Sequence, residues 1–188
     1  MKPHLLMIFW IILYLIIIVF LDLKYQLLRN TSTAKKKSYS YSRMQLAWWI
    51  GLVLCAFIAV IFSNNNPGLD IPNIPNGILI VLGLSCGTSA AAKLTDVSDQ
   101  LNNPLNRHQN NEGTNLILDI LSDKDGPSIH RLQSVLFNII FGIWFFLNVW
   151  NHGSIPDIDP NALVLLGLSS GTYAALKTTE NKIPQPVG

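Results

Sequence analysis

Two stretches, Gly83-Leu84-Ser85-Cys86-Gly87 and Gly167-Leu168-Ser169-Ser170-Gly171, satisfy the G-x-S-x-G pattern with which hydrolases present a nucleophilic serine. The chemistry would be acyl transfer. It requires a strand before the serine, a helix after it and a histidine within hydrogen-bond reach of the hydroxyl. Both serines instead sit inside apolar runs, and His4, His108, His130 and His152 all fall outside those runs. An elbow duplicated in two apolar helices is better explained by packing, so no enzyme and no catalytic residue is expected. Asp123-Lys124-Asp125-Gly126 resembles a calcium loop in part. Aligning Gly126 with the required glycine, however, puts Leu121 and Leu132 at the first and twelfth ligand positions. No metal or cofactor is expected. Cys55 and Cys86 both lie in apolar runs and imply no disulfide framework.

The elements that must position these residues are membrane helices. Of 188 residues, 49% are apolar and only 13% are charged, about half the usual charged share of a soluble domain. A formal charge of +2 gives no reason to expect nucleic-acid binding. Uncharged runs at 5–21, 44–63 and 132–150 are long enough to span a bilayer. The runs at 77–92 and 162–176 are short: at about 1.5 Å per residue each covers roughly 24 Å of a core about 30 Å thick. The first run is followed by Asp22-Leu23-Lys24 in place of a small-residue cleavage site, so it reads as a retained anchor. Trp48 and Trp49, one turn inside a basic edge, and Trp150 read as interfacial rings.

Every basic residue except Lys2 falls on one side of these five helices. Segment 22–43 carries Lys24, Arg29, Lys35, Lys36, Lys37 and Arg43; segment 93–131 carries Lys93, Arg107, Lys124 and Arg131; the tail carries Lys177 and Lys182. The opposite connections, 64–76 and 151–161, contain Asp70, Asp157 and Asp159 and no Lys or Arg. Positive charge is retained in the cytoplasm, which puts the N-terminus outside and the C-terminus in the cytoplasm of a multi-pass plasma (inner) membrane protein.

The two serine motifs belong to a longer internal repeat. Residues 83–93 are echoed at 167–177, Arg43-Met44-Gln45 by Arg131-Leu132-Gln133, and the Ile-Pro-rich loop at 71–76 by 155–161. The repeating unit is a two-helix hairpin that begins and ends on the cytoplasmic side, a parallel duplication. These residues resemble a family of bacterial membrane proteins in which Arg-x-Gln opens a helix and Gly-[Ile/Leu]-Ser-x-Gly-Thr closes the next, twice over. The match covers residues 42–180, and the first copy departs from it with Cys86 and Ser89 where the second has Ser170 and Tyr173. The resemblance implies a membrane location and the paired-hairpin plan, and it supplies no activity.

The plan is therefore all-α: an anchor at 1–23, a basic linker at 24–42, hairpins at 43–93 and 131–177, a cytoplasmic loop with a short amphipathic helix at 94–130, and a tail at 178–188. Gly83, Gly87 and Ala91, like Gly167, Gly171 and Ala175, recur every four residues and form the small-xxx-small stripe by which membrane helices approach closely. Gly171→Leu should then be far more damaging than Ser170→Leu. Ser85 and Thr88, and Ser169 and Thr172, fall on the other side of each short helix and would bond to nearby carbonyls or line a conduit. No span carries Asp, Glu, Lys, Arg or His, which argues against ion-coupled transport. Asn138, the strongest polar group at depth, suits an interhelical hydrogen bond. Asn76 and Asn161 read as N-caps, and 94–114 as a flexible loop followed by a helix at 115–122. Lys35, Lys36 and Lys37 are placed to meet anionic headgroups. The expected function is a non-enzymatic anchor, sensor or scaffold acting through its cytoplasmic loops, with lipid, a second copy and a cytoplasmic protein as partners. The alternative is an oligomeric pore lined by Ser85, Thr88, Ser169 and Thr172.

Overall fold

The computed structural model describes residues 3–62, 68–102 and 107–181; Lys2, Lys182 and the loop residues 63–67 lie outside them, and nothing is described of the His4 side chain. The chain is helical: α1 (Pro3–Tyr25), α2 (Tyr41–Ile61), α3 (Asn76–Asn102), α4 (Leu116–Leu121), α5 (Ile129–His152) and α6 (Pro160–Lys177). A two-residue hairpin, β1 (Ser122–Asp123) and β2 (Gly126–Pro127), lies between α4 and α5. Four helices, α1, α2, α3 and α5, are long and apolar enough to cross a membrane. The sixth helix is not among them: it opens on Pro160 and Asn161, carries Ser169, Ser170 and Thr172, and ends on Lys177.

α2 packs against α3 and α5, and α6 against α3 and α5, so these four helices enclose one core. Trp49, Phe145, Ile78, Val81, Val149 and Leu166 fill it. α1 leans on α2 and α5 and leaves most of its Ile, Leu and Phe side chains half exposed, as a helix facing hydrocarbon can. It docks through buried Met7 and through Tyr14, whose hydroxyl donates to the Ala47 carbonyl at 2.7 Å while its ring lies over Gly51.

Helix ends show why the elements stop where they do. Gly153 takes the left-handed conformation (φ 65°) that ends α5, and its N–H bonds back to the Val149 carbonyl. The N-cap of α6 is Asp159, whose carboxylate accepts from Asn161 N at 2.8 Å, with Pro160 at the first helical position; Asn161 is therefore not the cap. α3 is capped from a distance, because Asp157 Oδ1 accepts from Gly77 N at 3.0 Å and the Asn76 side chain does not take that role. A methyl group at Gly77 would come within 2.9 Å of the Ile158 backbone. Gly77→Ala should therefore cost about 2 kcal/mol by overpacking a site that cannot yield. Gly83→Ala, with nothing within 4 Å, should stay within about 0.5 kcal/mol. Thermal unfolding of both variants in mild detergent checks the contrast.

The third helix is longer than its apolar run. It continues past Ala92 to Asn102, so its 27 residues reach roughly 40 Å and the first part of the expected flexible loop is helix. Ala92 and Asp96 are buried on its inner side, while Leu94, Val97 and Leu101 face outward. Trp49, expected at the headgroup level, is instead wholly buried in the core.

Candidate functional site

All the long helices of the core bring one end to a common polar cap. Two segments build it. After α1, the left-handed residue Gln26 (φ 57°) turns the chain, and Asp22 holds the turn by accepting from Leu28 N at 3.0 Å and pairing with Arg29 at 3.3 Å. Arg29 also reaches the Tyr39 hydroxyl and the Lys37 carbonyl, folding 26–40 into a loop. The second segment docks on this loop: Gly113 N donates to the Lys36 carbonyl, Lys36 Nζ to the Thr114 carbonyl, and Tyr39 N to Asp119 Oδ2. The run Lys35-Lys36-Lys37 is therefore part of the folded cap: Lys35 is exposed, Lys36 is bonded to Thr114, and Lys37 is half-buried with its carbonyl bonded to Arg29. Asp123-Lys124-Asp125-Gly126 is the turn of the β-hairpin, with Asp125 N on Asp123 Oδ1 and Gly126 at φ 106°.

Beneath the cap lies a buried ion network. Glu180, 3% exposed, accepts from Arg131 Nη2 at 2.9 Å and Gln109 Nε2 at 3.1 Å, with Lys177 Nζ at 3.8 Å and His108 Nε2 at 4.0 Å. Lys177 also pairs with Asp96 at 3.1 Å, and Asp96 with Arg107 at 3.5 Å. Asn181 ties the same segments together, donating to Asp99 at 2.7 Å and Gln109 at 2.9 Å and accepting from His108 N at 2.8 Å. Buried pairs of this kind repay their desolvation only when hydrogen bonds meet most of the charge, and here Arg107 Nε and Nη2 have no hydrogen-bond partner among the described residues. The Arg131 guanidinium stacks over Tyr173 with 5.3 Å to the ring centroid. A cavity of about 240 Å³ lies between cap and bundle, walled by Tyr41, Arg131, Tyr173 and Lys177 on one side and Asn30 and Ser38 on the other. A second, of about 190 Å³, lies beside Lys124, His130 and Arg131.

Burial pushes the His108 imidazole below its ordinary value of 6.5; the neighbouring Glu180 opposes this, Arg131 and Lys177 reinforce it, and Asp123 opposes it. A folded-state value below the unfolded one means that the unfolded chain binds the proton first. The cap's full stability is therefore present above pH 6.5 and declines as pH falls below it toward the folded value. Amide protection at residues 107–111, corrected for intrinsic exchange rates, should fall with acidification through that window. His108→Gln should flatten the decline.

Deeper in the bundle a polar core links the helices. Asn138 Oδ1 accepts from Trp49 Nε1 at 2.6 Å, and its amide donates to the Tyr41 hydroxyl at 3.1 Å and the Ser134 carbonyl at 2.7 Å. Ser169 donates to Ser134 Oγ at 2.5 Å, and Gln45 to Ser170 Oγ at 2.9 Å. Of the hydroxyls expected to line a conduit, Ser85, Thr88 and Ser169 are buried within the chain and Thr172 is exposed. Thr88 bonds back to the Leu84 carbonyl at 2.7 Å, and Ser85 Oγ is buried with no partner. Ser85 and Ser169 lie mid-helix, and neither bonds to a histidine among the described residues.

The glycine stripes take the opposite place from the expected one. A Cβ at Gly83, Gly87 or Gly171 would meet nothing within 4 Å, and one at Gly167 would meet only Leu84 at 3.8 Å. Ala91 is half-buried and Ala175 exposed. The glycines border a shallow groove between α3 and α6, so within one chain they do not mediate close packing. On α6 the inward hydroxyls Ser169 and Ser170 find partners on Ser134 and Gln45, whereas glycine loses nothing by facing out. The close approaches fall at Gly51, Gly77, Gly113 and Gly142, whose Cβ positions are blocked by Tyr14, Ile158, Ser38 and Trp48. No spacing pattern marks those four. No family model, curated protein or solved structure matches the chain, so its function must be argued from these residues.

Proposed function

We propose that the chain is a non-enzymatic, multi-pass protein of the plasma (inner) membrane that acts as an anchor, sensor or scaffold through its cap. The observation that carries this reading is the cap itself: two loops about 80 residues apart in sequence are bonded into one unit over a buried ion network and a cavity. That is more structure than tethering helices needs. In this reading α6 is the fifth span, alongside α3 and α5, and the hairpins α2–α3 and α5–α6 are the two copies of the repeat. The basic residues of the described connections gather at the cap end, which supports a cytoplasmic cap, while Asp157 and Asp159 mark the other end. The oligomeric pore has less support, because three of its four proposed lining hydroxyls are buried inside the single chain and Ile78, Val81, Phe145 and Val149 close the core.

A photoreactive residue at Lys35, Glu112 or Lys124 should crosslink a protein partner that the same probe at Ile80 or Leu168 does not reach. Purified chain in liposomes should carry no ion flux. Flux abolished by Thr172→Val, together with a ring of four or more copies by native mass spectrometry, would instead establish the pore.

A further inference from the structure

We infer that the socket around Glu180 is an anion-recognition site occupied by the chain's own carboxylate, and that it accepts a phosphate or carboxylate group when the turn at Glu180 and Asn181 releases. Carboxylate recognition is already displayed there: Arg131 of α5, Lys177 of α6 and His108 and Gln109 of the connecting segment converge on one carboxylate. Arg131 spends a single hydrogen bond on Glu180, which leaves most of its five N–H donors for a second anion oxygen.

The charge balance points the same way. Arg107 and Lys177, both buried, and half-buried Arg131 face Asp96 and Glu180, with half-buried Asp99 beyond them on Asn181. Withdrawal of Glu180 takes away the carboxylate that Arg131 and Lys177 share and leaves Lys177 with Asp96 alone, a vacancy that an anion satisfies well. The other acidic groups on the cavity wall are committed or peripheral. Asp119 accepts from Tyr39 N, Thr114 N and Thr114 Oγ1, Asp123 accepts from Asp125 N, and Glu112 is exposed. The adjoining cavity of about 240 Å³ gives a small anionic group room beside the socket. The occupant competing with it is Glu180, held by the turn that continues α6, with Glu180 N on the Lys177 carbonyl at 3.3 Å, and by Asn181 on Asp99, Gln109 and His108 N.

This inference deepens the sensor reading and rests on it, but its test requires no partner protein. Inorganic phosphate is titrated by calorimetry into the full chain in nanodiscs of zwitterionic lipid. Glu180→Gln keeps the size of the side chain and removes its charge, and should tighten phosphate binding about tenfold, roughly 1.4 kcal/mol. Adding Arg131→Gln to that variant should abolish the gain. Cys55, buried in α2, reports the fold: in a Cys86→Ser background it should stay unreactive to maleimide. If Glu180→Gln exposes Cys55, Asn181→Ala decides, since it loosens the turn without altering charge and should also tighten binding.

A parallel arm uses phosphatidylglycerol nanodiscs without phosphate. A higher thermal midpoint of Glu180→Gln there than in zwitterionic discs identifies a lipid headgroup as the source of the anion, and phosphate binding alone identifies a soluble one. Folded variants with unchanged phosphate affinity and unchanged midpoints overturn the inference, and would leave partner docking by the cap untouched. Loss of the cap crosslinks would, conversely, leave anion binding standing.

Discussion

Asn138→Leu should destabilise the bundle by about 2–3 kcal/mol. The substitution conserves size and raises apolarity, so on hydrophobic grounds alone it should be harmless in a membrane. Its cost comes from what it leaves behind. Trp49 Nε1 loses its only acceptor at a position with no solvent access, and the Tyr41 hydroxyl loses the donor from Asn138. The Ser134 carbonyl is the smaller loss, because it sits inside a helix and retains its backbone partner. Asn148 provides the control: on the same helix it makes the same bond to the carbonyl four residues back, at 3.0 Å to Trp144, with no interhelical partner. Asn148→Leu should be nearly neutral. Midpoints of thermal unfolding in mild detergent separate the two, and equal midpoints would mean that the polar core contributes nothing to helix association.

Ser170→Leu should be far more damaging than Gly171→Leu, the reverse of the order expected from the small-residue spacing. Ser170 is buried and accepts from Gln45, so leucine there must displace its neighbours and orphans a buried amide. Together these should cost about 3 kcal/mol. Gly171 faces the open groove, where an added Cβ meets nothing within 4 Å, and leucine there should change stability by no more than about 0.5 kcal/mol. The measurement is made twice, once for unfolding and once for mass in detergent. Gly171→Leu that leaves the fold intact but halves the assembly mass would assign the stripe to a contact between copies. Gly171→Leu that unfolds the chain would contradict the orientation of α6.

These two predictions show which parts of the structure a linear reading reaches. Long uninterrupted runs of Ile, Leu and Phe locate α1, α2 and α5 because length and apolarity are local properties. The grouping of basic residues at one end is legible for the same reason. A helix has two special faces when glycines and hydroxyls alternate, as in α3 and α6, and spacing cannot tell which faces in. That choice is made by Gln45 and Ser134, polar groups far away in sequence that offer partners to one face only. Gln45 is accordingly buried, while Gln133, in the similar Arg-Leu-Gln stretch, is exposed.

The tail of α3 was missed because its polarity resembles a loop. Its charged side turns inward, Asp96 toward Lys177 and Arg107 and Asp99 toward Asn181, against the usual rule that charge faces out. The cap was illegible for a simpler reason. Its bonds join residues near 36 to residues near 114, and neither segment carries a local signal of the other. The same holds for Asp157, which caps a helix that starts 80 residues earlier.

That last contact gives α3 an anchorage at each end. Its first turn is fastened to the loop before α6 through Gly77 and Asp157, and its last turns to the ion network through Asp96 and Asp99. Between them runs one helix without proline and without a break. In mechanical terms α3 is a connecting rod. Its two ends therefore join the loop that holds Asp157 and the carboxylate Asp96 that shares Lys177 with Glu180.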